Sequence, residues 1–506
     1  VTDGTFEPDQ RLHPTSWLFA VFAFVRQLIV PLAAAAFFGS RDGNPTWLWP
    51  VAAVILAAAL WKQWFYRYGL GPTGLVIREG LFFRNVRQID YARIENIDTE
   101  RSLLHRLLGV AEVRVETSTG GKAEASIQVL GLAAAEELRE RVFAARGGEA
   151  REHTARKAED VLLAMSTAEV VKFGLIDNRG LIVVAGVVGF LYEAGVMEVW
   201  SVVLRAAVSP ELMARLIARG MVIQIALMLI VLLGAVLVLR VLSVALALFT
   251  FHGFTLTRVD NDLRTSYGLL TRLSLTLRLQ RIQAAHVTQT LLHRVFDRVA
   301  VRVDLAGGGA SPEAQQQGRG RVRWLAPLAA PNRARELIAR ALPDVDFTRT
   351  TEWQPLSPRA YGRVMRKSAA LWSVVGLGFA VMLHALWPFL LIAVGVPISM
   401  CYAAMYVRYT RWALQDDALF FRRGWLTRKL VIVPRNRVQV VCLGESPFDR
   451  RYRMASLRVD TAGAASPTDQ IRIPYLDLEV ARELARALET TAAAQTKAAP
   501  AEVAGT

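Results

Sequence analysis

The stretch GLFFRNVRQIDYARIENIDTERSLLHRLLGVAEVRVE, residues 80–116, returns in altered form at 268–304 as GLLTRLSLTLRLQRIQAAHVTQTLLHRVFDRVAVRVD. It returns again at 424–460 as GWLTRKLVIVPRNRVQVVCLGESPFDRRYRMASLRVD. The three align without a gap over 37 residues, and their starts lie 188 and 156 residues apart. Self-similarity of this kind signals one folded unit used several times. Each copy opens on Gly and an apolar residue (Leu81, Leu269, Trp425) and carries Arg84, Arg272 or Arg428 soon after. Arg and a β-branched residue follow: Arg93-Ile94, Arg281-Ile282, Arg437-Val438. Each copy closes on an alternating strand: Val113-Arg114-Val115-Glu116, Val301-Arg302-Val303-Asp304, Leu457-Arg458-Val459-Asp460. Period-2 alternation predicts a sheet with one buried and one wet face. Beyond the alignment each unit adds a Gly-containing turn, a further strand and an amphipathic helix. In the third unit that helix has its apolar positions at Leu478, Val480, Ala481, Leu484 and Leu488.

Outward from the repeats lie long apolar windows. A hydrocarbon core of about 30 Å needs about 20 apolar residues in helix. Trp17–Phe38 is interrupted only by Arg26, and Trp47–Trp64 follows after a turn with Gly39, Gly43, Asn44 and Pro45. Leu181–Trp200 is weaker, because Glu193 and Glu198 fall inside it, and Met221–Leu239 has no charge and continues past Arg240 to Phe249. Ser368–Val407 runs 40 residues without Asp, Glu, Lys or Arg, and His384 and Pro388 mark its middle as a turn between two helices. The first window is read as an anchor and not a cleaved signal, since a second apolar helix follows at once.

The expected fold class is an α+β membrane protein: six transmembrane helices in three hairpins, each followed by a β-rich domain with a C-terminal helix. The expected order is N-terminus 1–16, hairpin 17–64, domain 65–146, linker 147–179, hairpin 180–249, domain 250–343, linker 344–367, hairpin 368–407, domain 408–490 and a disordered tail 491–506. Lys/Arg excess in short loops marks the cytoplasmic side. Lys62, Arg67, Lys172, Arg179, Arg363, Arg366, Lys367, Arg408 and Arg411 flank the spans on the side of the large segments. The segment between spans three and four runs against this with Arg205, Arg215 and Arg219, and is read as a short interfacial helix from Ser209 to Gly220. Termini and domains are therefore expected inside a bacterial cytoplasmic membrane.

These residues resemble the bacterial PH-like domain of the YdbS/YdbT family of membrane proteins. The resemblance is carried by Gly80, Arg84, Arg93-Ile94, Leu104, Arg106, Gly109 and Val113 through Thr117, and in the third unit by Pro434, Arg437, Val438, Val459 and Thr461. It covers nearly the whole chain and implies a PH-like fold for each unit, several such domains each after a transmembrane pair, and no settled activity. The departures are Asp297 and Arg453 where the first unit has Gly109, and the insertion Gly307–Gly320 in the second.

The chain carries 60 Lys and Arg against 44 Asp and Glu, a net +16, with 53% hydrophobic residues and two cysteines. Two cysteines exclude a disulfide framework or a Cys-rich metal centre. No P-loop, dinucleotide fingerprint, zinc-protease His pair or nucleophile elbow occurs, so neither an enzyme nor a cofactor is expected. His105 and His293 hold matching positions and suggest a structural or surface role, Cys401 and Cys442 read as buried small hydrophobes, and Asp416-Asp417 as a solvated turn.

Two functional readings remain. In the first, the recurring arginines form a basic face for anionic headgroups, which attract Lys/Arg at about 1 kcal/mol each. These are Arg84, Arg93, Arg106, Arg114, Arg272, Arg281, Arg294, Arg302, Arg428, Arg437, Arg450 and Arg458. The plain alternative for any one of them is a solvated strand edge or an ion pair within the fold. The protein would then be a non-enzymatic scaffold or sensor whose partners are the membrane, anionic lipids, protein segments added at a sheet edge, or a smaller PH-domain membrane protein of the same family. Nucleic acid is not expected. The second reading is a transporter or extruder of amphipathic peptides or lipids, motivated by the intramembrane polar residues Arg26, Glu193 and Arg240.

Overall fold

The alternation of the repeat sets the sheets. In a computed structural model of the chain, Val113, Val115, Val301, Val303, Leu457 and Val459 are buried, whereas Arg114, Arg302 and Arg458 are not. The structure describes residues 10–19, 64–79, 85–117, 125–144, 160–193, 221–259, 262–306, 322–461 and 471–498, with scattered positions between 21 and 61.

Each module holds four strands, a 3-10 turn, three more strands and a closing helix. Module 1 comprises β1 (Gln10–Arg11), β2 (Arg67–Leu70), β3 (Gly74–Glu79) and β4 (Asn85–Asp90), then β5 (Ile94–Arg101), α1 (Leu103–Leu107), β6 (Val110–Thr117), β7 (Ala125–Gly131) and α2 (Leu132–Ala144). Module 2 begins with β8 (Asp160–Ala164), α3 (Thr167–Ile176), α4 (Arg179–Glu193) and α5 (Met221–Phe251), followed by β9 (Thr255–Val259), β10 (Asp262–Tyr267) and β11 (Arg272–Arg278). It continues through β12 (Ile282–Gln289), α6 (Leu291–Val295), β13 (Val299–Leu305), β14 (Arg323–Ala329) and α7 (Pro331–Ala341). Module 3 begins with β15 (Gln354–Pro355), α8 (Ala360–Leu383) and α9 (Phe389–Tyr409), followed by β16 (Arg411–Leu414), β17 (Ala418–Arg423) and β18 (Arg428–Pro434). It ends with β19 (Val438–Gly444), α10 (Pro447–Arg451), β20 (Met454–Thr461), β21 (Ile471–Asp477) and α11 (Leu478–Ala498).

The first strand of every module precedes its apolar helices, and the second follows them. β1 pairs with β2, β8 with β9 and β15 with β16, all antiparallel. The stretches 147–179 and 344–367, read above as linkers, thus contain β8, α3, β15 and the start of α8. The modules are also stitched together. β5 pairs with β11 and β12 with β18, which gives two seven-stranded sheets, β7-β6-β5-β11-β10-β9-β8 and β14-β13-β12-β18-β17-β16-β15. Four-stranded β1-β2-β3-β4 and three-stranded β19-β20-β21 stand at the two ends. Three cores fill the modules: Tyr68, Leu75, Tyr91 and Leu138 in the first, Phe251, Phe254, Leu263 and Leu337 in the second, and Leu419, Val433, Leu476 and Leu488 in the third. The second runs on into Ala413, Ala418, Phe420 and Ile432 of module 3, and the third takes in Ala284 of module 2.

Among the described residues three helices are long and apolar enough to cross a membrane: α5, α8 and α9. This corrects the expected count of six at the level of what the structure describes. α4 is apolar but shorter, and most of spans one and two, with Arg26, Glu198 and the 209–220 helix, lie outside the described residues. The 40-residue uncharged run does break where expected. His384 caps α8 in the left-handed region, and Pro388 caps α9. The pair packs closely, since a Cβ on Gly395 would lie 2.4 Å from the Trp372 ring, and the Ser399 hydroxyl donates to Ser368 Oγ at 2.9 Å. The opening glycine of the second and third repeats has a firm cause. Gly268 and Gly424 have φ of +116° and +87°, and a Cβ there would lie 2.0 and 2.1 Å from the carbonyls of Thr271 and Thr427.

Both cysteines are exposed, contrary to the expectation of burial. Cys401 faces outward on the apolar helix α9. Cys442 lies on β19, whose counterparts β5 and β12 are covered by the next module.

Candidate anionic-headgroup site

α9 ends at Tyr409, and Arg411 opens β16 two residues later. Antiparallel register sets Arg411 directly opposite Arg422 on β17. Like charges in that arrangement repel. Burial lowers the Arg422 pKa, and Arg411 and Arg428 lower it further. Arg294, from module 2, is likewise lowered by burial and then by Arg428. Arg428 lies over the Tyr409 ring at 5.8 Å, Arg422 over Trp353 at 4.3 Å, and Arg408 over Tyr409 at 5.9 Å. Among the described residues no carboxylate lies within 4 Å of Arg411, Arg422 or Arg428. The aromatic faces offer partial compensation only. A cluster of cations without counter-charge, at the foot of an apolar helix, favours an anion.

Module 1 repeats the arrangement. Subtracting the repeat offsets from 411 and 422 gives 67 and 78, and Arg67 indeed pairs opposite Arg78 across β2 and β3. Arg11 on β1 extends the row, opposite Arg67. Module 2 departs: its counterparts are Thr255 and Ser266, whose hydroxyls meet at 2.7 Å. Modules 1 and 3 therefore carry a cationic pair where module 2 carries a neutral hydrogen bond. The sequence reading missed these pairs because they lie just ahead of the aligned 37 residues. The signal was present in Arg67-Tyr68-Gly69-Leu70 and Arg411-Trp412-Ala413-Leu414, an Arg, an aromatic ring, a small residue and Leu after each span.

The arginines singled out from the repeat are dispersed by the fold. Arg428 joins the cluster, and Arg272 is exposed opposite Arg101 on β5. Arg106 donates through Nη1 to the Leu269 carbonyl at 3.1 Å, and Arg294 donates through Nη2 to the carbonyls of Trp425 and, at 2.9 Å, Leu426. Both hold neighbouring modules together. Arg114 is held by Glu112 at 2.9 Å and Glu100 at 3.2 Å. Burial lowers its pKa, but these carboxylates outweigh that and leave it raised. Arg93 pairs with Asp90 at 3.6 Å and Arg437 with Asp344 at 3.7 Å. Arg281 and Arg302 are half-buried, and Arg450 and Arg458 are exposed. Arg84 lies outside the described residues.

Of the intramembrane polar residues, Arg26 lies outside the described residues, and so does the Glu193 side chain. Arg240 is engaged: it donates to the carbonyls of Leu175 at 3.0 Å and Asp177 at 3.4 Å, and to Asn178 Oδ1 at 3.1 Å. A cation on the last carbonyls of α3 satisfies that helix end and its dipole. His105 and His293 both serve short helices: their Nδ1 atoms meet Ser102 Oγ at 2.6 Å and Thr290 Oγ1 at 2.8 Å. Among the described residues no three His, Cys, Asp or Glu could hold a metal ion.

The bacterial PH domain matches this chain three times, over residues 18–146, 202–341 and 372–491. Transmembrane protein YdbT of Bacillus subtilis (strain 168) is 21% identical over 483 residues, 88% of this chain and 92% of that one. No solved structure matches.

Proposed function

Because the chain belongs to the bacterial PH-domain family of transmembrane proteins, we propose that it is a non-enzymatic membrane scaffold or sensor that reads anionic headgroups through paired arginines at the feet of its apolar helices. The carrying observation is the cross-strand pair Arg411–Arg422, repeated as Arg67–Arg78, without a carboxylate partner among the described residues. Each such cation near an anionic surface is worth about 1 kcal/mol. A PH-like module so held presents its remaining surface to protein segments in the cytoplasm.

Six spans and cytoplasmic modules belong to the same proposal. Strand pairing supports an even count. β1 and β2, β8 and β9, β15 and β16 are neighbours in a sheet, so the chain between each pair leaves and re-enters on one side. Lys/Arg excess beside the spans favours the cytoplasmic side of a bacterial inner membrane. Transport draws less support, because Arg240 serves the end of α3.

The test uses the full chain in phosphatidylcholine bilayers with and without phosphatidylglycerol. A ligand that binds the native state raises the unfolding temperature. Phosphatidylglycerol should raise it, and Arg411→Gln with Arg422→Gln should remove much of that rise. An equal rise in wild type and variant, or none in wild type, would discard the headgroup reading.

A further inference from the structure

The two seams between modules share one register. At the first, Arg272 faces Arg101, Leu273 faces Glu100 and Ser274 faces Thr99. At the second, Arg428 faces Gln289, Lys429 faces Thr288 and Leu430 faces Val287. Adding 156 to the β11 number and 188 to the β5 number turns each pair of the first seam into a pair of the second. The clasp repeats too, since Arg106 reaches the carbonyl of residue 269 and Arg294 that of residue 425, again 188 and 156 apart. The seam is thus a self-complementary device of the module and not an accident of one linker.

Among the described residues the series stops at β4 and β19. β4 is the counterpart of β11 and β18, and β19 that of β5 and β12, yet β4 and β19 each lie at the end of a sheet. Their side chains are correspondingly open. Val86 is 57% exposed, Val440 50% and Leu443 42%, whereas Ala284, the counterpart of Val440, is fully buried. Asp98 and His286, the counterparts of Cys442, are buried. Arg450, the counterpart of the clasping Arg106 and Arg294, is exposed, and its guanidinium meets no partner among the described residues. An open edge with apolar side chains is a template for another strand.

We propose that the β19 edge of one copy of this chain pairs antiparallel with the β4 edge of a second copy and continues the internal seam between molecules. The occupant is a second copy because the two free edges are the two halves of a joint the chain already makes twice. The shared register places Gly444 opposite Asn85, Leu443 opposite Val86, Cys442 opposite Arg87 and Val441 opposite Gln88. The contact is heterologous, so it builds a head-to-tail row in the plane of the membrane, closing only if the rotation between copies permits a ring. This goes beyond the headgroup proposal and does not depend on it.

The native Cys442 supplies the test. Facing residues in an antiparallel pair have Cα atoms about 4.5–5.5 Å apart, within the disulfide range of about 4.4–6.8 Å. Two tagged forms of the full chain, both Cys401→Ser, are co-expressed and oxidised in native membranes. One carries Arg87→Cys and Cys442→Ser; the other keeps Arg87 and Cys442. The expected product is a disulfide-linked dimer containing both tags. It should be absent when Thr73→Cys, on the exposed turn between β2 and β3, replaces Arg87→Cys. A further pair, Val86→Cys in one form and Leu443→Cys in the other, both Cys442→Ser, repeats the measurement should Arg87→Cys disturb the fold. Lack of a mixed dimer from both pairs would overturn the proposal, as would one formed equally from Thr73→Cys. A product holding one tag only would point to a symmetric contact and overturn it likewise.

Discussion

Asp98 on β5 and Arg323 on β14 form an ion pair at 2.7 Å, with side chains 4% and 9% exposed. Asp98 Oδ1 also accepts from the backbone N–H of Thr276 at 3.4 Å, so one carboxylate joins module 1 to two strands of module 2. Removing one partner of a buried pair leaves an uncompensated charge and costs about 3–5 kcal/mol. Asp98→Ala should therefore lower the unfolding temperature sharply, while the double replacement with Arg323→Met should recover much of the loss; a double variant as unstable as the sum of both singles would refute the pairing. A second expectation concerns the residues that follow α1, α6 and α10. Gly109, Asp297 and Arg453 all adopt positive φ, of 67°, 47° and 50°. A left-handed backbone costs an L-residue about 1–2 kcal/mol. Gly is easiest there, so Arg453→Gly should raise the unfolding temperature, a gain that the same change at an extended position would not give. His293 adds a pH dependence. Burial lowers its pKa below 6.5, offset in part by Asp177, and Nε2 has no hydrogen-bond partner among the described residues. The unfolded chain then binds the proton more readily than the folded one. Stability is present in full above pH 6.5 and is lost as pH falls through that value toward the folded pKa. His293→Gln should flatten thermal stability between neutral and mildly acid pH, read by unfolding scans.

At the scale of elements, the α8–α9 hairpin rests on two glycines. Gly376 sits against Ile392, and Gly395 against the Trp372 ring. Small residues let helices approach where lipid supplies no hydrophobic drive. Gly395→Leu should loosen the hairpin and lower the unfolding temperature in detergent, whereas the same change at Gly378, which has open space around it, should do little. The elements with strong patterns were legible in the sequence: the alternating strands ending at Glu116, Asp304 and Asp460, the helix from Leu478, and the break at His384. β1, β8 and β15 were not. They span two to five residues, and their partners lie far downstream beyond the apolar helices, so no local periodicity marks them. The seams were also hidden, because edge pairing is made by backbone groups, and only the clasping Arg106 and Arg294 leave a trace. The recurring arginines were visible as a set, but the repeat could not separate Arg428 in the cation cluster from Arg114 between two carboxylates. That distinction depends on Glu100, Glu112 and the strand preceding each aligned window.

At the scale of the molecule, two seven-stranded sheets make neighbouring modules share one ladder. A sheet cut at a seam would expose Asp98, Ala284, Ala285 and His286. Modules coupled through such an interface unfold together. Scanning calorimetry of the full chain should show one dominant transition for the three modules, and three well-separated transitions would contradict the coupling. The strand order carries one more consequence. A ribosome releases β8 long before β9, with α4 and α5 between them. The nascent strand must wait, unpaired, until the chain returns through those helices and delivers its neighbour. Completion of each sheet therefore depends on the intervening helices bringing the chain back to the strand it left.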